Sequence, residues 1–108
     1  MTTGDDLRAD LIGSRRTFIL RLLVEADGYV NESILMRHAL KANPTASRDD
    51  IQADLTHLIS TGCVSESWID APDGTKAFRN ISITPRGDDA AHGRLAVPGV
   101  WRSRWDRG

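Results

Sequence analysis

The stretch SRDDIQADLTHLISTGCV, residues 47–64, contains the most clearly defined helix of the chain. Ser47 is a good N-cap, and Asp50 three residues later gives a capping-box arrangement. The apolar residues that recur at helical spacing are Ile51, Leu55, Leu58 and Ile59. One side of this helix is therefore predicted to face a core. Gly62 ends the helix, and a strand is predicted to follow it.

Two helical segments precede this helix. Residues 5–26 carry Leu7, Leu11, Phe18 and Leu22 at helical spacing. They form one helix or two in tandem, and Gly13–Ser14 slightly favours two, since Gly disfavours a helix interior and Ser is a good N-cap. A second helix starts after Asn31 and stops at Asn43–Pro44. Between the two, Tyr29–Val30 is predicted to be a very short extended segment.

A two-stranded hairpin and a short helix are predicted to follow. The strands, residues 63–69 and 76–84, flank a loop that contains Pro-Asp-Gly, which is strong turn chemistry. The last helix starts at Thr84–Pro85, where proline suits the first helical position, and runs to about His92.

This order of elements predicts a mainly α fold with a small β-hairpin, the winged helix-turn-helix. Three helices form its core, the hairpin is the wing, and a short C-terminal helix and a tail follow. The run DIQADLTHLISTGCV resembles the recognition helix and first wing strand of bacterial winged-helix transcriptional regulators. ISITPRG resembles the second wing strand and closing helix of the same superfamily. We therefore predict a winged-helix domain at residues 1–93 and a Trp/Arg-rich tail at residues 94–108.

A narrower resemblance covers nearly the whole chain. RRTFILRLLVEADGYVNESILMRHAL, the helix at residues 47–61, and above all AAHGRLAVPGVWR resemble small winged-helix proteins of Mu-like phages and prophages. Such proteins often carry the label of transcriptional regulators. The resemblance implies the winged-helix fold, and through that label it implies a small phage or prophage regulator.

Polar side chains opposite the apolar stripe form the predicted DNA-reading face, namely Arg48, Gln52 and Thr56. Arginine can pair with guanine, glutamine with adenine, and threonine can contact the methyl group of thymine. The bases placed to meet phosphates, on the preceding helix and the wing, are Arg37, Lys41, Lys76 and Arg79. This pattern predicts binding to double-stranded DNA, with a homodimer as the expected assembly.

Charge argues against that prediction. The chain has 14 basic and 15 acidic residues, so any DNA affinity must come from a local patch. Within residues 47–61, Arg48 is opposed by Asp49, Asp50 and Asp54, which gives a net charge of −2. The first two aspartates suit the N-terminus of a helix, whereas Asp54 has no such explanation. An ordinary solvated face is the alternative interpretation of Arg48, Gln52 and Thr56.

The tail at residues 94–108 has four arginines and one aspartate, a net charge of +3. Its candidate partner-binding residues are Trp101, Arg102, Arg104 and Trp105. Such a tail packs on its own domain or a second subunit, binds a protein partner, or contacts nucleic acid. The alternative function is accordingly a protein-binding adaptor or assembly factor that uses the acidic helix face, the wing or the tail.

No enzyme, metal site or cofactor is predicted. His38, His57 and His92 are far apart, and a single cysteine, Cys63, supports neither a disulfide framework nor a thiolate zinc site. His38 is expected to be a hydrogen-bonded core residue, and Cys63 a buried, unreactive thiol. Asp88 and His92 could share a metal, but an exposed polar face explains them more simply.

A cytoplasmic location is expected. The start MTTGDDLRAD lacks the basic region and apolar run of a secretory signal. The longest apolar stretch, residues 18–24, is interrupted by Arg21 and is too short to span a bilayer. No membrane association is therefore predicted.

Overall fold

The structure, a computed structural model, describes residues 3–70, 72–74 and 77–101. Within them, four helices and a three-stranded antiparallel sheet form a mixed α/β fold. The elements in chain order are α1 (Thr3–Glu25), β1 (Tyr29–Asn31), α2 (Glu32–Ala42), α3 (Arg48–Ser60), β2 (Val64–Asp70), β3 (Ala77–Ile83) and α4 (Pro85–Ala91). Among the described helices, none combines the length and apolar character needed to cross a bilayer.

Helix α1 is continuous, so the expected break at Gly13–Ser14 is wrong. Gly13 instead lets another part of the chain come close, because the Trp101 backbone N–H donates to the Gly13 carbonyl at 3.2 Å. A Cβ at position 13 would lie 3.1 Å from the Trp101 nitrogen. A glycine needed for tertiary contact thus lies inside a helix that the surrounding residues sustain.

The first turns of α1 extend beyond the core. Leu7 and Leu11 are 58% and 57% exposed, so the apolar residues at helical spacing in the N-terminal half of α1 do not form a buried stripe. Phe18 and Leu22, on the same stripe, pack against the core. Helical spacing correctly predicts a helix over these residues. It does not show how far along the helix the core extends.

The starts of α2 and α3 are confirmed as predicted. The Asn31 side chain accepts a hydrogen bond from the Ser33 backbone N–H at 2.8 Å. At α3, the Ser47 hydroxyl accepts from the Asp50 backbone N–H at 3.1 Å, and the Asp50 carboxylate accepts from the Ser47 backbone N–H at 2.9 Å. These contacts satisfy helix N–H groups that have no partner within the helix.

The sheet has three strands in the order β1-β3-β2, where the sequence predicted a two-stranded hairpin. The short extended segment becomes β1 because it pairs with β3, with Val30 opposite Ile81. Strand β2 pairs along the other edge of β3, with Val64 opposite Ile83. A third strand stabilises a hairpin that would be marginal alone.

The core lies between the helices and one face of the sheet. Its fully buried apolar side chains include Ile19, Leu20, Leu23, Leu35, Ile51, Leu55, Leu58 and Ile81. Cys63 is buried, as predicted. His38 is exposed, so its expected place in the core is wrong: Leu35, Met36 and Ala39 set the buried side of α2, and His38 lies beside that side.

Candidate nucleic-acid interface

The candidate interface is built on α3, whose inner side holds an ion pair with α1. Asp54 has no exposed surface and accepts hydrogen bonds from Arg15 and Arg16. The contacts from Arg15 Nη2 and Arg16 Nε to Asp54 Oδ1 are both 3.0 Å. Hydrogen bonding to Asp54 raises the pKa of Arg15 above its ordinary value, outweighing the opposite effect of burial. This shift favours the charged form of the Arg15 guanidinium.

Burial of Asp54 changes the charge balance of the outer face. From the sequence, the negative charge of Asp54 is expected to oppose DNA binding. In the structure this charge is paired inside the protein with Arg15 and Arg16. The remaining charged residues of α3 are Arg48, Asp49 and Asp50, which sum to −1. Asp50 belongs to the helix cap, and hydrogen bonds from the Ser47 backbone and then its side chain lower the pKa of this carboxyl group.

Most predicted DNA contacts are exposed. Arg48 and Thr56 are exposed on α3, and Arg37 and Lys41 are exposed on α2. Lys76, predicted to meet a phosphate, lies outside the described residues. The arrangement leaves side chains of both helices accessible to a ligand.

Two other predicted contacts are engaged with protein side chains. Arg79 on β3 donates to Glu32 through Nε at 2.7 Å, to Glu66 through Nη1 at 2.9 Å, and to the Gln52 side-chain oxygen at 2.7 Å. Gln52 also donates to Glu32 at 3.2 Å. We call Glu32, Gln52, Glu66 and Arg79 the Arg79 cluster. It connects α2, α3 and the β2–β3 hairpin, and its two carboxylates face one guanidinium.

Sequence reasoning missed Glu32 and Glu66 as partners of Arg79. The strand register places Trp68 opposite Arg79, and the Arg79 guanidinium carbon lies 5.8 Å from the Trp68 ring centre. Finding this group from sequence requires the register of β2 against β3, which a long hairpin loop leaves undetermined. Trp68, Ile69 and Phe78 remain substantially exposed along the outer half of the hairpin.

The chain after α4 packs on α1 and α3 as far as it is described. Leu95, Val97 and Val100 join the core, and Trp101 is 57% exposed. The Pro98 carbonyl lies 2.7 Å from His57 Nε2 on α3. The other predicted partner-binding residues, Arg102, Arg104 and Trp105, lie outside the described residues.

A metal site has little support in the described part of the chain. No group of three or more His, Cys, Asp or Glu side chains there is arranged to hold a metal ion. His92 Nδ1 lies 3.6 Å from the Asp88 carboxylate, within a group that Arg94 also joins at 2.9 Å. Asp88 therefore takes part in a surface ion pair with Arg94, and His92 lies beside it.

These features define a small α/β protein with exposed polar and basic side chains on two adjacent helices. The chain is 32% identical over 94 residues to the uncharacterized protein gp26 of Escherichia phage Mu. The matched region covers 87% of this chain and 92% of the phage protein. The chain belongs to the family of that phage protein, which supports the phage origin indicated by the sequence. No family model matches the chain, and no solved structure matches it.

Proposed function

We propose that the protein is a DNA-binding winged helix-turn-helix protein that regulates transcription for a phage or prophage. The element order and the strand order β1-β3-β2 are compatible with that fold. In this proposal α2 and α3 are the helix-turn-helix, α3 is the recognition helix, and β2 and β3 are the wing. The distant relationship to a phage protein supports the phage or prophage origin in this proposal, but it gives no support for DNA binding.

The burial of Asp54 is the observation that carries the proposal. An acid on the outer face of a recognition helix would repel phosphates, and this one is instead enclosed and paired with Arg15 and Arg16. The outer face of α3 exposes Arg48 and Thr56 to solvent. Arg48 can donate hydrogen bonds to guanine, and Thr56 can contact the methyl group of thymine.

The predicted contact residues divide into two groups by their surroundings. Arg48 and Thr56 are free to reach base edges, and Arg37 and Lys41 to reach phosphates. Gln52 and Arg79 are positioning residues in this proposal, because the Arg79 cluster fixes the wing against α3. A rigid wing beside the recognition helix keeps both elements in register with the duplex.

A homodimer is part of the same proposal. Paired helix-turn-helix units read two half-sites separated by about 10 base pairs or multiples of that distance. Footprints with this spacing, together with a dimer mass in solution, would be its signature.

Fluorescence anisotropy with labelled duplex fragments at two salt concentrations tests the proposal. We expect tight binding that weakens steeply with salt and favours some fragments. Arg37→Ala/Lys41→Ala should reduce the slope of log K against log[salt] by about 2. Arg8→Ala/Arg86→Ala removes the same charge from exposed sites on α1 and α4 and should leave the slope unchanged. Absence of binding at low salt and micromolar protein would overturn direct DNA recognition.

A protein-binding adaptor is the second candidate function. The exposed apolar side chains of the wing, Trp68, Ile69 and Phe78, favour it, because such residues are enriched at protein interfaces. Trp68→Ala/Phe78→Ala should then abolish capture of a protein partner while salt-sensitive DNA binding is absent in both forms. DNA binding that persists in this variant would favour the first function.

A further inference from the structure

Strand β2 leaves a long backbone edge open. Among the described residues it pairs only with β3, because the strand order is β1-β3-β2. It runs from Val64 to Asp70, and every residue after Val64 is exposed. Proteins commonly protect such an edge with lysine, proline or a bulge. The sequence VSESWID contains neither lysine nor proline, and its register with β3 is continuous, so this edge is a template for another strand.

The backbone groups that point away from β3 follow from one hydrogen bond. The Thr84 N–H donates to the Cys63 carbonyl at 3.0 Å, and this pair continues the β2–β3 register. Successive residues of an antiparallel strand alternate between bonding the neighbouring strand and pointing away from it. The odd-numbered residues of β2 therefore bond β3. Glu66 and Trp68 direct their N–H and C=O groups to the open edge.

Large apolar side chains flank this edge on both faces of the sheet. Trp68 lies opposite Arg79, which contacts α2 and α3, so both are on the face toward the helices. Ile69 lies opposite Phe78 on the other face. Trp68, Ile69 and Phe78 are 62%, 41% and 42% exposed. A partner that adds a strand covers the backbone edge and part of both faces at once, which a partner on one face cannot do.

Charge complementarity permits a second copy of the chain in one register. Two β2 strands related by a two-fold axis pair antiparallel, and their outward-pointing groups meet when the axis passes through one residue. An axis at Glu66 would oppose two copies of that acid, and an axis at Trp68 would oppose Glu66 and Asp70. With the axis at Ser67, Glu66 lies opposite Trp68 of the second copy and no two acids are opposed. Registers centred further along the strand pair fewer residues.

We propose that the protein dimerises by antiparallel pairing of β2 with β2 of a second copy, centred on Ser67. The two three-stranded sheets then form one continuous sheet. Each Trp68 lies between Arg79 of its own chain and Glu66 of the second copy, because these residues are neighbours on one face. This inference rests on the homodimer of the proposed function and names its interface. It also accounts for the exposed apolar residues of the hairpin without a different protein partner.

Sedimentation velocity of the full-length protein over a range of concentrations tests this interface. Ser67→Lys places like charges opposite each other at the two-fold axis, about 5 Å apart, and should weaken the dimer by about tenfold or more. Ser67→Glu should have the same effect. An equimolar mixture of the two variants brings opposite charges together and should recover the dimer. That recovery would also show that both variants are folded.

The matched control is Ser65→Lys. It adds the same charge to an exposed serine on the same strand and the same face of the sheet. In the proposed register Ser65 lies opposite Ile69 of the second copy rather than its own counterpart. The dissociation constant of the dimer should therefore stay within about twofold of that of the unmodified protein.

Amide hydrogen exchange tests the position of the contact along the strand. The N–H groups of Glu66 and Trp68 should exchange about tenfold or more slowly in the unmodified dimer than in Ser67→Lys. Those of Ser65 and Ile69 bond β3 and should be protected in both proteins. Equal exchange of the Glu66 and Trp68 amides in the two proteins would overturn the strand pairing.

The outcomes separate this interface from the rest of the proposed function. A dimer that Ser67→Lys leaves intact, or a mixture that does not recover the dimer, would overturn the β2 interface and leave the homodimer in place. An unmodified protein that is monomeric at every concentration would overturn both the interface and the homodimer. DNA recognition is measured separately by fluorescence anisotropy, so its failure is distinguishable from either result.

Discussion

The guanidinium of Arg15 on α1 donates two hydrogen bonds to the carboxylate of Asp54 on α3, 39 residues away in the sequence. Asp54 is fully buried, while the Arg15 side chain retains 13% exposure. Arg16 donates to the same carboxylate and also binds the Gly99 carbonyl. One acid therefore connects α3, α1 and the chain that follows α4.

Asp54→Asn should destabilise the protein by about 3 kcal/mol, because it leaves two partly buried arginines without their counter-charge. Urea denaturation of the two proteins measures the difference. Asp49→Asn, an exposed change on the same helix, should alter stability by no more than about 0.5 kcal/mol. Equal effects of the two substitutions would contradict the structural role of the ion pair.

Glu32→Gln/Glu66→Gln should strengthen non-specific DNA binding. The variant removes two negative charges beside α3 and frees Arg79, so the slope of log K against log[salt] should steepen by about 1. Duplex titrations at several salt concentrations measure it.

The matched control is Glu25→Gln/Asp27→Asn, which removes the same charge from exposed positions at the end of α1. A control that strengthens binding as much as Glu32→Gln/Glu66→Gln would show a general charge effect. In that case the stronger DNA binding could not be attributed to release of Arg79 from the Arg79 cluster.

The α3 cap predicts a dependence of stability on pH. Because hydrogen bonds from Ser47 lower the pKa of Asp50 in the folded protein, ionised Asp50 stabilises the fold above its unfolded pKa. The stability lost in Asp50→Asn should be fully present near pH 7. This difference in stability should shrink as the pH falls below about 4, the ordinary pKa of an aspartate, and through the lower pKa of Asp50 in the folded protein. A difference that stays constant between pH 7 and pH 2.5 would contradict the capping role of the charge.

Gly87→Ala should be severely destabilising, by more than about 3 kcal/mol. A Cβ at this position of α4 would lie 2.0 Å from the Cys63 backbone carbonyl oxygen, which has little freedom to move. Gly74→Ala has open space around it and suffers only from the backbone angle φ of +72°, so it should cost about 1 kcal/mol. Thermal unfolding of both variants measures the contrast, and similar losses would contradict the close packing of α4 against the Cys63 backbone.

The parts of the fold that depend on local chemistry were predictable from the sequence. Ser47 and Asp50 contact each other across three residues, and Asn31 contacts Ser33 across two, so short motifs determine where α3 and α2 begin. Pro85 at the first position of α4 is local in the same sense.

The errors arose where tertiary contacts override local preference. Gly13 lies inside a continuous helix and accepts a hydrogen bond from the Trp101 backbone, and Asp54 is buried where two arginines of α1 pair with it. Sequence spacing cannot predict either contact, because the partners are far apart in the chain. Trp101 is 88 residues from Gly13, and Arg15 and Arg16 are 39 and 38 residues from Asp54. For the same reason, the sequence predicts separate DNA contacts for Gln52 and Arg79, although the two side chains bind each other.

The most direct test of DNA recognition by α3 is the ratio of affinities for a preferred and a scrambled duplex, measured with Arg48→Ala/Thr56→Ala and the unmodified protein at one salt concentration. We expect the variant to lose most of that preference, by about 1–3 kcal/mol per base contact, while keeping much of its non-specific affinity. A preference unchanged by the double substitution would contradict the assignment of α3 as the recognition helix.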